Sequence, residues 1–279
     1  IFCKYKMKIF DCFMYFDEDL ILDLRLNTLN DYVDKFIIIE SNITHTGNNK
    51  PLQFDIRKFK NFEHKIDYYP IENLIIDKNL KLKDSWSKHH LVDQSIRNSI
   101  ANYIGDASDN DWILISDIDE IPDPNKLNNF DKRRKFAFFE QEMFCYKFNL
   151  KSINETPWYG SRICVKKYLK SPQWLRNIKI KSNRSFFSRI LNNYQILKNG
   201  GWHFTSIKSP TEIITKLKSF AHSEIVKPSM LNEDYIKNRI DNYKDIFDRD
   251  IILKKVNIDN SFPKYLLENK EKFRKFLIS

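Results

Sequence analysis

The sequence predicts an α/β fold: a mainly parallel central sheet flanked by helices, with a helical C-terminal extension. Three observations carry that expectation. Short β-prone apolar runs alternate with helix-like stretches through the first half of the chain. The run Trp112-Ile113-Leu114-Ile115-Ser116 is apolar without alternation, as in a strand buried on both faces. The chain has 279 residues, 42% apolar and 30% charged, which is an ordinary globular composition with ample length for a core.

In order along the chain, Lys8 to Tyr15 reads as the first strand. A helix follows over Asp17 to Leu29, where Asp17 or Asp19 is suited to cap it. Phe36 to Ile39 is a short buried strand that ends at Glu40-Ser41-Asn42. Lys65 to Tyr69 is a third strand, stopped by Pro70, and a helix from Ser87 to Tyr103 leads into Trp112–Ser116. Beyond Pro124 the aromatic stretch from Phe136 to Phe148 is β-like, and Ile163 to Tyr168 is another candidate strand. Pro210 to Phe220 reads as a helix with proline in its first turn. From Asn232 the chain is polar and helical. The simplest organisation is one catalytic domain over 1–230 with a helical extension over 231–279 packed on it.

Composition also excludes. Average usage of about 7% would give roughly twenty glycines, yet there are 5, and they form neither G-x-G-x-x-G nor a Walker A loop. Cys3, Cys12, Cys145 and Cys164 have no zinc-like spacing and read as reduced thiols. The net charge of +10 invites an anionic partner, and the basic surface allows peripheral membrane contact. The lysines are nevertheless scattered rather than clustered, so nucleic acid is not expected. No apolar run reaches the ~18 residues of a membrane span, and the chain begins at Ile1 rather than Met. The expectation is a cytoplasmic protein, from a bacterium or virus to judge by its crowding of Lys, Asn and Ile.

Chemistry concentrates in Ser116-Asp117-Ile118-Asp119-Glu120-Ile121-Pro122. A buried strand delivers three carboxylates to its carboxyl end, with Pro122 as the stop, and ligands bind at that edge of open α/β sheets. Adjacent carboxylates repel and favour a hard cation such as Mg²⁺ or Mn²⁺, which bridges to a diphosphate. A solvated acidic turn is the competing reading, weakened by the strand before it and the E-I-P after it. A haloacid-type phosphatase, whose D-x-D sits on the first strand, does not fit three preceding strands.

A D-x-D at the end of a middle strand in a glycine-poor chain resembles the GT-A glycosyltransferases. Asp34-Lys35-Phe36-Ile37-Ile38-Ile39-Glu40-Ser41-Asn42-Ile43-Thr44 followed by Lys50-Pro51-Leu52-Gln53-Phe54 resembles the VDxFxxxESNxT…PLxF segment of glycosyltransferase family 17, which includes the enzymes that add bisecting GlcNAc. Ser116 to Pro122, Gly200-Gly201-Trp202-His203-Phe204 and Pro263-Lys264-Tyr265-Leu266-Leu267 match in the same order. The resemblance covers Lys8 to Leu277. It implies a GT-A fold and an inverting transfer from a UDP-sugar, UDP-GlcNAc or a close UDP-hexose, to a glycan hydroxyl. The animal enzymes carry an anchor and stem not seen here, which leaves the acceptor open between polysaccharide, lipid-linked glycan and glycoprotein. Sugar transfer onto nucleic acid, or a glycan-binding protein that has lost catalysis, are the alternatives.

Within that resemblance Asp119 is the first choice of metal ligand, with Asp117 on the metal, its water or the ribose, and His203 completing the site with His222 as the fallback. His90, Gln94 and Arg97 share one helix face suited to a diphosphate, next to His89. Asp11, Phe13, Glu40 and Ser41 lie at strand ends suited to ribose or uracil. The general base is sought among Glu224, Glu142 and Asp123, with Glu224 preferred because it follows a presumed active-site loop. Trp158, Tyr159, Arg162 and Trp202 offer acceptor-binding surface.

Overall fold

The computed structural model describes residues 7–44, 46–75, 86–131, 133–180, 194–218 and 226–278. Among them a ten-stranded sheet forms one layer of a mixed α/β architecture. Strands β1 (Ile9–Met14), β2 (Lys35–Ser41), β3 (Ile66–Ile71) and β4 (Trp112–Ile115) stand in the order β3-β2-β1-β4, all parallel. The chain winds outward from β1 to β3, then returns to place β4 on the other side of β1. Between β1 and β4 the strand order therefore reverses, which opens a crevice at the strands' carboxyl ends.

The rest of the sheet is not parallel in the main, which corrects the expectation. β8 (Arg162–Val165) joins β4 antiparallel and β6 (Phe136–Cys145) joins β8 antiparallel. β7 (Leu150–Ser152) and β10 (Leu253–Lys255) extend that edge antiparallel. β9 (Tyr194–Thr205) runs parallel to β6 and antiparallel to β5 (Glu120–Pro122). The C-terminal extension is thus not wholly helical, because β10 lies within it.

Hydrophobic side chains of alternate strand positions feed two layers. On one face α1 (Asp19–Leu29) buries Leu22, Leu26 and Leu29 with Phe13, Phe36 and Leu114, and α7 (Lys264–Glu268) adds Leu266. On the other face α2 (Trp86–Ser99) buries Val92 and Ile96 with Phe10, Cys12, Ile37 and Ile113, next to α4 (Pro172–Asn177) through Leu175. The short α3 (Pro124–Leu127) follows β5, and α5 (Pro210–Lys218), α6 (Glu233–Asp241) and α8 (Lys270–Phe273) complete the helices used below.

Several local expectations need correction. α1 begins at Asp19 with Glu18 as its N-cap residue and no side-chain cap. Asp17 instead pairs with Lys208, and Asp19 accepts from the Tyr15 hydroxyl at 2.7 Å. Pro70 lies inside β3 rather than ending it, because β3 pairs only with β2 and an edge strand has N–H groups to spare. The helix α2 stops at Ser99, with a 3₁₀ turn over Ile100–Asn102. Cys12, Cys145 and Cys164 are buried free thiols.

The C-terminal segment is held by a buried carboxylate. Asp245 accepts from the Tyr146 hydroxyl at 2.7 Å and from Arg249 Nε and Nη2 at 2.9 Å each. Burial raises its carboxyl, but the hydrogen bonds from Arg249 and Tyr146 more than offset this and hold it below the ordinary value. A depressed folded value contributes stability that is present above the unfolded Asp value of about 3.9 and lost as pH falls through the folded one. Amide protection in 233–255, measured against the intrinsic exchange rate at each pH, is expected to fall in that acidic window. Asp245→Asn should exchange faster at neutral pH and lose this part of the acid response; an unaltered acid profile would refute the latch.

Candidate active site

The acidic motif folds as strand, turn and strand. β4 ends at Ile115, the chain turns through Asp117-Ile118-Asp119 with Glu120 N–H donating to the Asp117 carbonyl at 3.0 Å, and β5 starts at Glu120. Pro122 therefore closes β5 rather than β4. Pairing of β5 with β9 sets Glu120 opposite His203 and Pro122 opposite Gly201. This register carries a histidine from far downstream to the acidic turn. Gly201 permits it: its φ is +133°, and a Cβ there would stand 2.3 Å from the Ile121 carbonyl oxygen.

The turn is pinned from beneath by Arg25 of α1, a fully buried guanidinium. Its Nη1 donates to the carbonyls of Asp117 and Ile118 at 3.2 Å and of Glu120 at 2.9 Å. Its Nη2 reaches Ser116 Oγ and Asp11 at 2.5 Å, and its Nε donates to Asp11 at 2.8 Å. Sequence reasoning missed this residue. Its only signal is a charged position flanked by Leu24 and Leu26 in a helix that buries nearly every leucine.

Above the turn lies a cleft of about 430 Å³ at the carboxyl ends of β1, β2 and β4. Of the residues singled out in the sequence, Ser41, His90, Arg97, Asp117, Asp119, Trp158 and His203 line it, joined by Tyr15, Phe16, Glu18, Lys50, Asp93 and Lys216. Asp119 Oδ1 stands 3.5 Å from His203 Nε2. Burial raises the Asp119 carboxyl, but His203 overrides it and holds it below the usual carboxylate range. Burial lowers His203, but Asp119 reverses that and leaves its value raised. The Trp158 ring stacks on His203 with centroids 4.9 Å apart.

Asp117 takes a different place from Asp119. Its Oδ1 meets Arg97 Nη2 at 2.9 Å and its Oδ2 meets Arg176 Nη2 at 2.9 Å. Burial raises its carboxyl, yet Arg176 and Arg97 prevail and hold it well below the ordinary value. Arg176 also pairs with Glu120 at 2.6 Å, and Glu120 accepts from Trp158 Nε1 at 2.8 Å. Gly160 makes room for that carboxylate, since a Cβ would fall 2.2 Å from Glu120 Cδ. Gly160→Ala is expected to displace Glu120 from Arg176 and Trp158. Overpacking of this kind costs about 1–3 kcal/mol. Thermal unfolding together with turnover checks it, and wild-type values for both would sink the packing argument.

Other expected site residues serve the fold. Asp11 and Phe13 point to the α1 face of β1, where Asp11 pairs with Arg25 and Phe13 lies under its guanidinium at 4.5 Å. Glu40 is buried and accepts from Lys50 at 2.5 Å, from the Gln53 and Phe54 amides at 2.8 and 3.0 Å, and from the Tyr68 hydroxyl at 2.9 Å. Gln94 stands outside the cleft lining. Glu142 pairs with Lys151 at 2.6 Å and Asp123 caps α3, so neither lines the cleft. Tyr159 donates to Glu140 at 3.2 Å, Arg162 donates to the Leu175 carbonyl at 2.6 Å, and Trp202 Nε1 donates to the Ser261 carbonyl at 2.9 Å. Of the proposed acceptor surface only Trp158 faces the cleft. His222 and Glu224 lie outside the described residues, as does Cys3.

The sequence model of glycosyltransferase family 17 matches residues 2–279. The chain belongs to this family. Membership makes it a glycosyltransferase, with a donor and an acceptor substrate. No curated protein matches the chain. Among the described residues no helix is long and apolar enough to cross a membrane.

The acidic motif and the family resemblance imply a divalent cation, and the residues present limit how one could be held. Among the described residues no three His, Cys, Asp or Glu side chains gather to hold a metal ion, so a cage made by protein alone does not fit. His203 is 7% exposed, and its Nδ1 has no hydrogen-bond partner among the described residues. A carboxylate and an imidazole opening on a cleft fit a cation that takes one or two protein ligands and completes its shell from substrate oxygens. Asp119 and His203 would be such a pair, whereas Asp117 is engaged by arginines.

Proposed function

We propose that this family 17 glycosyltransferase is an inverting, metal-dependent enzyme that uses a UDP-sugar, UDP-GlcNAc or a close UDP-hexose, and forms a β linkage on a glycan hydroxyl. The observation that carries the reading is the pairing of Asp119 with His203 in a cleft at the switch point of the parallel strands. A GT-A arrangement is consistent with that half of the sheet.

Lys50, Arg97 and Lys216 stand on the cleft wall among Glu18, Asp93, Asp117 and Asp119. Lys50 is paired to Glu40 and Arg97 to Asp93 and Asp117, so a diphosphate would depend on a cation to balance its charge. Arg97 is nearly buried, and Asp93 and Gln173 Oε1 fix its guanidinium at 2.8 and 2.5 Å. Its fork is therefore orientated before any ligand arrives. Ser41 at the end of β2 and Tyr15 and Phe16 after β1 supply hydroxyl and aromatic surface for the nucleoside. Mn²⁺ or Mg²⁺, held by Asp119 and His203, would neutralise charge on the departing diphosphate. Trp158 covers His203 and keeps water from that side of the pair.

Titration calorimetry with UDP tests this reading. UDP should bind, and more tightly with Mn²⁺ than with EDTA. Proton NMR of the product from UDP-GlcNAc should show a β anomer. No UDP binding under either condition, or an α product, would defeat it.

A further inference from the structure

Next to the donor cleft is a second cavity of about 240 Å³, smaller than a nucleotide needs and commensurate with one sugar ring. It lies between the start of α1, the chain after β9, and α5. Glu18, Asp119 and Lys216 line both spaces, so the two share a wall. Whatever occupies the second cavity stands beside the donor, across the metal-binding carboxylate.

The lining is chemically one-sided. Asp17, Glu18, Asp19, Asp119 and Glu212 contribute carboxylates, against Lys208 and Lys216. Lys208 is already paired with Asp17, and Asp19 with Lys58 outside the lining, so Glu18, Asp119 and Glu212 outnumber Lys216. Ionised carboxylates only accept hydrogen bonds and suit hydroxyl donors, while an anion here would meet like charge. Leu20 and Phe276, both partly exposed, add apolar surface for the C–H face of a ring. The net charge of +10 is therefore not the charge of this cavity.

Glu18 is held in an unusual way. Its Oε2 accepts from the Phe16 and Asp17 amides at 3.0 Å each, and no hydrogen bond among the described residues engages Oε1. Asp119, the other carboxylate common to both cavities, is committed to His203. We propose that the second cavity is the acceptor subsite, that it takes an uncharged sugar ring, and that Glu18 is the catalytic base. This rests on the UDP-sugar reading of the cleft. Glu18 Oε1 takes the proton of the acceptor hydroxyl as its oxygen bonds to the anomeric carbon. The bond from that carbon to the phosphate oxygen breaks, and its electron pair leaves with UDP.

The test uses UDP-GlcNAc with Mn²⁺ and a panel of acceptors. Methyl glycosides of glucose, mannose, galactose and N-acetylglucosamine represent uncharged rings; methyl glucuronide and mannose 6-phosphate represent anionic ones. Transfer to at least one uncharged glycoside is expected. Leu20→Trp narrows the cavity and should raise the acceptor KM at least tenfold. Glu18→Gln should lower kcat at least about 100-fold, and Leu20→Trp, at a position that lines only the second cavity, should keep the UDP Kd within twofold. Transfer to anionic sugars alone, to none of the panel, or with wild-type kinetics in either variant overturns the assignment. If the unmodified protein fails to bind UDP, the donor reading falls first and this assignment falls with it.

Discussion

Asp119→Ala is expected to lower kcat/KM for sugar transfer at least about 1000-fold with Mn²⁺ present, the scale seen when a group stabilising transition-state charge is removed. The carboxylate opens on both cavities and stands 3.5 Å from His203, so its loss removes half of the protein's share of the proposed cation site. The fold should survive, because the turn is pinned by Arg25 through backbone carbonyls and not through this side chain. Circular dichroism and a Mn²⁺ titration of UDP binding separate the effects. A folded variant with retained activity would remove Asp119 from the chemistry. The matching change at Asp117 should act differently, releasing Arg97 and Arg176 from a shared partner and so altering donor affinity before metal affinity.

Arg25→Met should be strongly destabilising. Removing one partner of a buried ion pair leaves an uncompensated charge at a cost of about 3–5 kcal/mol. Here Asp11 would be stranded at zero exposure, and three carbonyls of the acidic turn would lose their donor. Burial already pushes the Asp11 carboxyl up despite Arg25 beside it, so the variant relaxes by protonating Asp11. Urea denaturation reads the stability loss. Arg25→Lys should recover little, because a single ammonium lacks the fork that spans Asp11, Ser116 and the turn. Wild-type stability in either variant would show that the network is dispensable.

Much of the fold is legible locally. Phe36-Ile37-Ile38-Ile39 and Trp112-Ile113-Leu114-Ile115 are apolar on both faces, and only the middle of a parallel sheet consumes such strands. β9 was not legible, because Lys198-Asn199-Gly200-Gly201 lacks the β-branched residues that mark a strand. Its place depends on the bulge opposite Phe139 and Gln141 and on contact with β5. The acidic motif and His203 could be named from sequence, whereas their 3.5 Å meeting rests on the β5–β9 register.

Asp11 and Glu40 show the limit most clearly. Sequence reading placed both near strand ends and assigned them to the nucleotide, but Asp11 lies mid-strand in β1. Strand alternation places Asp11 on the helix-covered face, and Glu40 is enclosed by Lys50, Tyr68 and two backbone amides. Glu18 shows the converse, a helix-start residue that gains significance from two cavities meeting at it.

By itself the sequence determined the alternation of strands and helices, the family, and the acidic turn as the candidate chemical centre. These depend on residue type and local period, which every window of the chain carries. Tertiary structure alone decided which carboxylates reach solvent and which are neutralised by arginine. That choice is electrostatic: it depends on which cation stands within a few ångströms, and Arg25, Arg97 and Arg176 arrive from three separate helices.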